Sequence, residues 1–184
     1  MPEIYPRDHV LAQWAYSELN SPEQGERYGG FGIPELRQKQ ASHVRFNELD
    51  PSERELLIKA WHKVRGVFAS ALYDVTAFQL TRWTKDDLGP VYILGHFYEW
   101  LEPAYKSRPV TFKEWVEVDP YAELSEHHPL REAGGSTFTQ DNPVAVGPLK
   151  GRMTLLDGYH RAVRFWRTTD AELFVYVPYG SRRR

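Results

Sequence analysis

The sequence predicts an α+β fold, and three observations predict it. Between Asn142 and Pro178 short β-rich runs alternate with one helical run. Much of the first half instead places apolar residues at helical spacing. The chain has 184 residues, 14% of them aromatic, which suffices for one packed domain with a helical annex. The formal net charge of −2 gives no global pull toward nucleic acid or membrane. There is no cysteine, which excludes disulfides, thiolate metal ligands and thiol nucleophiles together. Met1–Asp8 lacks the apolar core of a leader, and no apolar run is long enough to span a bilayer. A cytoplasmic soluble protein is the expectation.

Taken in order, Asp8 to Asn20 reads as a first helix. Asp8 is its N-cap, and Val10, Leu11, Trp14, Ala15 and Leu19 form its apolar stripe. Ser21 to Ile33 carries Pro22, Gly25, Gly29, Gly30 and Gly32, the chemistry of a linker or a flap. Asp50-Pro51-Ser52-Glu53 is a helix start, with an N-cap, proline at N1 and Glu at N3. Leu57, Ala60, Trp61, Val64, Phe68, Ala71, Leu72 and Val75 continue the stripe. The spacing predicts a helix from Pro51 to at least Tyr73, bending at Gly66 and extending toward Trp83. Thr84-Lys85-Asp86-Asp87 and Pro90 break that pattern, and Thr81–Leu88 matches half of a helix-turn-helix only weakly. Val91–Leu101 reads as a buried helix, with a strand over Val91–Leu94 as the other reading. Its Tyr92, Phe97, Tyr98, Trp100 and His96 are expected in the core. Pro109–Val118 alternates well enough to supply a strand.

The last segment is the most specific. Pro143–Leu149 reads as a strand, Lys150-Gly151 as a turn and Arg152–Leu156 as a second strand. A helix runs from there to about Arg167, and Glu172–Val177 is a final strand stopped by Pro178. At the strand-to-helix junction stands Asp157-Gly158-Tyr159-His160-Arg161. Glycine permits a tight turn and close approach of a ligand to the backbone. The first helical turn offers unpaired N–H groups and the positive end of the dipole. His160 and Arg161 add donors, and a guanidinium grips phosphate in bidentate fashion. Arg164 and Arg167 continue a basic stripe that serves either the anion site or a solvent face. The local reading of the same residues makes Asp157 a helix cap and leaves His160 and Arg161 in solvent.

The Gly158–Arg161 motif, in its strand-turn-strand-helix-strand setting, resembles the C-terminal half of the ParB/sulfiredoxin-like superfamily. With Asp157 in front, it looks most like the D-G-x-H-R form of ParB-like free serine kinases. The likeness covers about a fifth of the chain firmly and reaches back more weakly to Pro109. It implies a small mixed sheet with helices at 109–179, preceded by a helical region at 1–108 and followed by a basic tail at 180–184. It also implies a nucleotide-dependent phosphotransferase that uses ATP or ADP with Mg²⁺. The acceptor would be a small hydroxyl compound, with serine as the family's example. Gly158, Tyr159, His160, Arg161 and Arg164 would then bind the nucleotide.

In that family an acidic residue beside a histidine lies upstream of the motif. Leu124-Ser125-Glu126-His127-His128 is locally similar, with Glu and His in reversed order. The resemblance thus nominates Asp157, His160, Arg161, Glu126 and Glu123 for catalysis. It nominates Asp157 and Glu126 for Mg²⁺, and His127 and His128 for the substrate. A carboxylate facing a bound phosphate can deprotonate a hydroxyl or hold the cation. The competing reading of Glu123–His128 is an exposed polar loop, and adjacent histidines lack zinc-site spacing. Sulfiredoxin chemistry needs a motif cysteine where Tyr159 stands. Partition-type ParB proteins carry a helix-turn-helix after the core, and few residues follow Val177 here. A metal-dependent nuclease and a non-catalytic nucleotide-binding module are the alternatives, and nucleic acid is the less favoured partner.

Overall fold

The computed structural model describes residues 2–20, 25–31, 33–69, 71–94, 108–118, 143–167 and 172–179. Five strands are β1 (Glu3–Pro6), β2 (Ala77–Trp83), β3 (Val144–Leu149), β4 (Arg152–Asp157) and β5 (Leu173–Tyr179). They form one mixed sheet in the order β1-β2-β5-β3-β4. Among the described residues the α-helices are α1 (Arg7–Glu18), α2 (Pro34–Ala41), α3 (Pro51–Val64), α4 (Gly66–Ala69), α5 (Lys85–Leu88), α6 (Phe112–Glu117) and α7 (Tyr159–Arg167). The α+β class is as expected, and the described residues up to 108 contribute β1 and β2 besides helices. Two compact units divide the chain, one built on Glu3–Gln79 with the chain end from Pro178, the other on Leu80–Val177.

In the first unit, α1 begins at Arg7 rather than at the expected cap Asp8. Pro6 takes the N-cap position, and Asp8 sits in the first turn, where its charge complements the dipole. The stripe of α1 is buried as predicted, and Ala12 and Tyr16 are buried too. α3 opens as its sequence predicts: the Asp50 N–H donates to Glu53 Oε2 at 3.0 Å, with proline at the first turn. Leu57, Ala60 and Trp61 line its buried face, and Trp61 meets Trp14 of α1 edge-on at 5.4 Å between centroids.

The predicted length of this helix is wrong. α3 ends at Val64, Arg65 leaves the helical region (φ −114°, ψ 18°), and only the single turn α4 follows Gly66. Ala77–Trp83 is strand, not helix. The β-formers Val75, Thr76, Phe78, Thr81 and Trp83 outweigh an apolar spacing that fits a helix only by coincidence. Within the glycine-rich segment, Gly25–Phe31 forms a 3₁₀ helix. A Cβ on Gly25 would meet the Leu19 carbonyl oxygen at 2.5 Å, so glycine lets this segment lie against the end of α1.

In the second unit, Val91–Leu94 is extended. Tyr92 donates its N–H to the Met153 carbonyl at 3.0 Å and accepts from the Leu155 N–H at 2.8 Å. The helix expected from Val91 is thus corrected for these four residues, and 95–101 lie outside the described residues. The strand expected over Pro109–Val118 is also corrected, because Phe112–Glu117 is helix α6. Its cause is a T-x-x-E capping box that the alternation concealed. The Thr111 N–H donates to Glu114 Oε2 at 2.9 Å, and Thr111 Oγ1 accepts from the Glu114 N–H at 3.4 Å. Phe112, Trp115 and Val116 then fall on one buried face. Thr84 and Asp87, read from sequence only as breakers, cap α5 in the same way.

β3 and β4 form the expected hairpin. Lys150 (φ 49°) and Gly151 (φ 75°) both take the left-handed conformation that a tight two-residue turn requires. α7 then returns the chain to β5, which lies parallel to β3 with Val144 opposite Val175. β5 runs through Pro178 to Tyr179 rather than stopping before the proline. Among the described residues, no helix is long and apolar enough to cross a membrane.

Candidate functional site

The junction of β4 and α7 is where sequence reasoning and structure meet most closely. β4 ends at Asp157, Gly158 turns the chain at φ 86°, and α7 starts at Tyr159. A β-bulge prepares the turn. Leu155 pairs with Val146 but Asp157 pairs with Ala145, so Leu156 is the extra residue on β4. Thr154 and Leu155 point to opposite faces and both are buried, so β4 is covered on both sides here, and Leu156 at the bulge is buried as well.

Two side chains fill the space beside Gly158. A Cβ there would lie 2.5 Å from Val144 Cγ1, 2.8 Å from Val144 Cβ and 3.0 Å from Arg161 Nη2. Glycine is therefore required twice, for its backbone angle and for the room it leaves.

Arg161 is buried, at 8% exposure. Its Nη1 donates to the Pro143 carbonyl at 2.9 Å, and its Nη2 donates to Asp157 Oδ2 at 2.7 Å. Asp157 and Arg161 stand at i,i+4 spacing, and both side chains are largely shielded from solvent. One guanidinium thus joins the start of β3, the end of β4 and the first turn of α7. Such a pair in a partly dry site carries charge-assisted hydrogen bonds.

Tyr159, nominated as a nucleotide contact, has its ring in the core, edge-on to Trp115 at 5.9 Å between centroids. Its hydroxyl donates to the Leu155 carbonyl at 2.7 Å and accepts from the Leu94 N–H at 2.9 Å. At this position the backbone, not the ring, is what a phosphate would meet. His160 lies in the first turn of α7. Farther along α7, Ala162, Val163 and Phe165 are buried, Arg164 is half-buried and Arg167 is exposed. Gly158, Tyr159, His160, Arg161 and Asp157 are thus together at one turn, with Arg164 one turn along. Glu123, Glu126, His127 and His128 lie outside the described residues.

Sequence reasoning missed two parts of this arrangement, the Pro143 carbonyl and the Val144 side chain. The i,i+4 spacing of Asp157 and Arg161 is the signal that was available for their pairing. Among the described residues, no cluster of three His, Asp or Glu side chains is placed to share a metal ion. Mg²⁺ bound with a nucleotide needs only one or two protein carboxylates, because phosphates and water complete its shell. Asp157 at the turn fits that requirement.

Elsewhere, a cleft of about 380 Å³ in the first unit is lined by Pro6, Arg7, Asp8 and Tyr73–Thr76. Arg7 and Asp8 form an ion pair within it at 3.1 Å.

No family model matches this chain, and neither a curated protein nor a solved structure gives a significant match.

Proposed function

We propose that this protein is a nucleotide-dependent phosphotransferase acting on a small hydroxyl-bearing molecule, an amino acid such as serine being the leading acceptor. One observation carries the reading: a bulged strand delivers an aspartate and a left-handed glycine directly into a helix N-terminus. The motif's resemblance to ParB-like serine kinases supplies the reaction class, and the physical chemistry of the turn supports it.

In this reading the backbone N–H groups of Gly158, Tyr159 and His160 receive the phosphates of ATP or ADP, aided by the α7 dipole. Asp157 accepts the proton of the acceptor hydroxyl or holds Mg²⁺. Mg²⁺, when bound, supplies neutralising charge for the phosphoryl oxygens. Arg164 adds a cation one turn along α7. The resemblance assigns the second carboxylate to Glu126 or Glu123 and acceptor binding to His127 and His128, which lie outside the described residues.

The test is incubation with ATP, ADP or CTP and Mg²⁺, with and without free amino acids, followed by phosphorus NMR of the products. A new phosphoester that depends on nucleotide and acceptor supports the reading. Cleavage of added DNA without phosphoryl transfer transfers the assignment to a nuclease. Tight nucleotide binding without turnover assigns a non-catalytic module. That second reading has its own support, because Asp157 and the Pro143 carbonyl already hold the Arg161 guanidinium.

A further inference from the structure

We infer that Arg161 is a positioning residue that aims the Asp157 carboxylate, rather than a ligand of the phosphate. The inference rests on the phosphotransferase reading and refines one residue's role in it. Residue type and helix position suggest the opposite, since an arginine in the first turn of a helix is well suited to grip an anion.

Three features argue for positioning. The guanidinium is buried and donates to Pro143 O, just before β3, and to Asp157 Oδ2, at the end of β4. Its Nη2 passes within 3.0 Å of where a Cβ on Gly158 would stand, so the motif's glycine makes room for this pair. Asp157 follows a bulge, a device that re-aims a side chain at the end of a strand. A carboxylate so placed needs a second anchor to hold one rotamer, and a planar fork fixed on the Pro143 carbonyl provides it. The division of labour follows: backbone amides for phosphate, Asp157 for the hydroxyl or the cation, and Arg161 for the geometry of Asp157.

The experiment is a double-mutant cycle on the full chain. Wild type, Asp157→Asn, Arg161→Gln and the double variant are compared in nucleotide Kd by calorimetry and in kcat of phosphoryl transfer. If Arg161 acts through Asp157, Arg161→Gln lowers kcat about tenfold or more while Kd changes less than about threefold. In the Asp157→Asn background the same change then costs less than about twofold in kcat, because the carboxylate it served is gone. Thermal melts check that each variant folds. Should Arg161→Gln fail to fold, Arg161→Lys takes its place: a single ammonium keeps the buried charge but lacks the planar fork that spans Pro143 O and Asp157 Oδ2, so the same loss in kcat with little change in Kd is expected. A tenfold rise in Kd with kcat intact would overturn the inference and make Arg161 a phosphate ligand. Fully additive losses in kcat would also overturn it. Absence of transfer by the wild type with every nucleotide removes the phosphotransferase reading and this role together, an outcome distinct from additivity among active variants.

Discussion

Gly158→Ala should be among the more damaging single substitutions in the second unit, and two other glycines show why. At Gly158 the backbone has φ 86°, and the left-handed region costs a residue with a Cβ about 1–2 kcal/mol. The added Cβ also lies 2.5 Å from Val144 Cγ1, on a β3 side chain with no solvent exposure and little freedom to move. Overpacking of this kind adds about 1–3 kcal/mol, for a total of about 2–5 kcal/mol. Gly151 has a similar angle (φ 75°) and nothing within 4 Å of its added Cβ, so Gly151→Ala incurs the backbone cost alone. At Gly66 the added Cβ also meets nothing, and no left-handed angle is involved, so alanine there should be neutral or stabilising by up to about 1 kcal/mol. Urea denaturation followed by far-UV circular dichroism should rank the losses Gly158 above Gly151 above Gly66. Trimming Val144 to alanine in the Gly158→Ala background should recover about 1 kcal/mol relative to additivity. Equal losses at Gly158 and Gly151, within about 0.5 kcal/mol, would refute the close approach of Val144 to the turn.

Other perturbations test other parts of the account. Glu18 is buried and accepts from Trp14 Nε1 (3.1 Å), the Tyr28 hydroxyl (2.7 Å) and the Arg65 guanidinium. Glu18→Ala removes their shared acceptor and should cost about 3–5 kcal/mol by urea titration; a loss below about 1 kcal/mol would contradict a buried network. Tyr159→Phe removes the hydroxyl joining Leu94 to Leu155 and should cost about 1–3 kcal/mol, with faster amide exchange at Leu94. Burial, and secondarily the Arg54 charge, hold the His9 pKa below its ordinary 6.5. The folded state therefore binds this proton less readily than the unfolded chain. The resulting stability is present above pH 6.5 and is lost as pH falls below it. His9→Gln should flatten the melting-temperature difference between pH 7.5 and pH 5.5, and an unchanged difference would exclude His9 as its source. Hydrogen bonds, first from the Thr111 backbone, hold Glu114 below its ordinary 4.5, so the capping box stabilises above that pH and weakens as pH falls through the depressed value. Thr111→Ala should cost about 0.5–2 kcal/mol at pH 7, and no loss there would dismiss the cap.

The C-terminal segment was readable because each of its elements is specified locally. Lys150-Gly151 demands a turn, β-rich runs flank it, and Gly158 stands where only a positive φ joins strand to helix. The site residues from Asp157 to Arg161 were legible for the same reason. Their contacts were not, because the Pro143 carbonyl and Val144 come from the start of neighbouring β3 and the residue before it, and follow from its register. The middle of the chain misled in two ways. Apolar residues from Phe68 to Val75 continued a helical spacing past Gly66, although Arg65 already leaves the helix. Val110, Phe112, Val116 and Val118 mimicked a strand, although the Thr111–Glu114 box fixes a helix in one turn. In both cases a single end signal outranked a run of suggestive periodicity. Tyr159 is nominated by the motif as a nucleotide contact, yet its hydroxyl has backbone partners at Leu94 and Leu155 that only tertiary structure brings together.

The proposal depends on whether negative charge docks on the amides that follow β4. A titration of ¹⁵N-labelled protein with ADP, then ADP with Mg²⁺, reads those amides one by one. Saturable shifts that are largest at Gly158, Tyr159 and His160, and abolished by excess inorganic pyrophosphate, are the predicted result. Shifts centred elsewhere, or none at millimolar nucleotide, would contradict it.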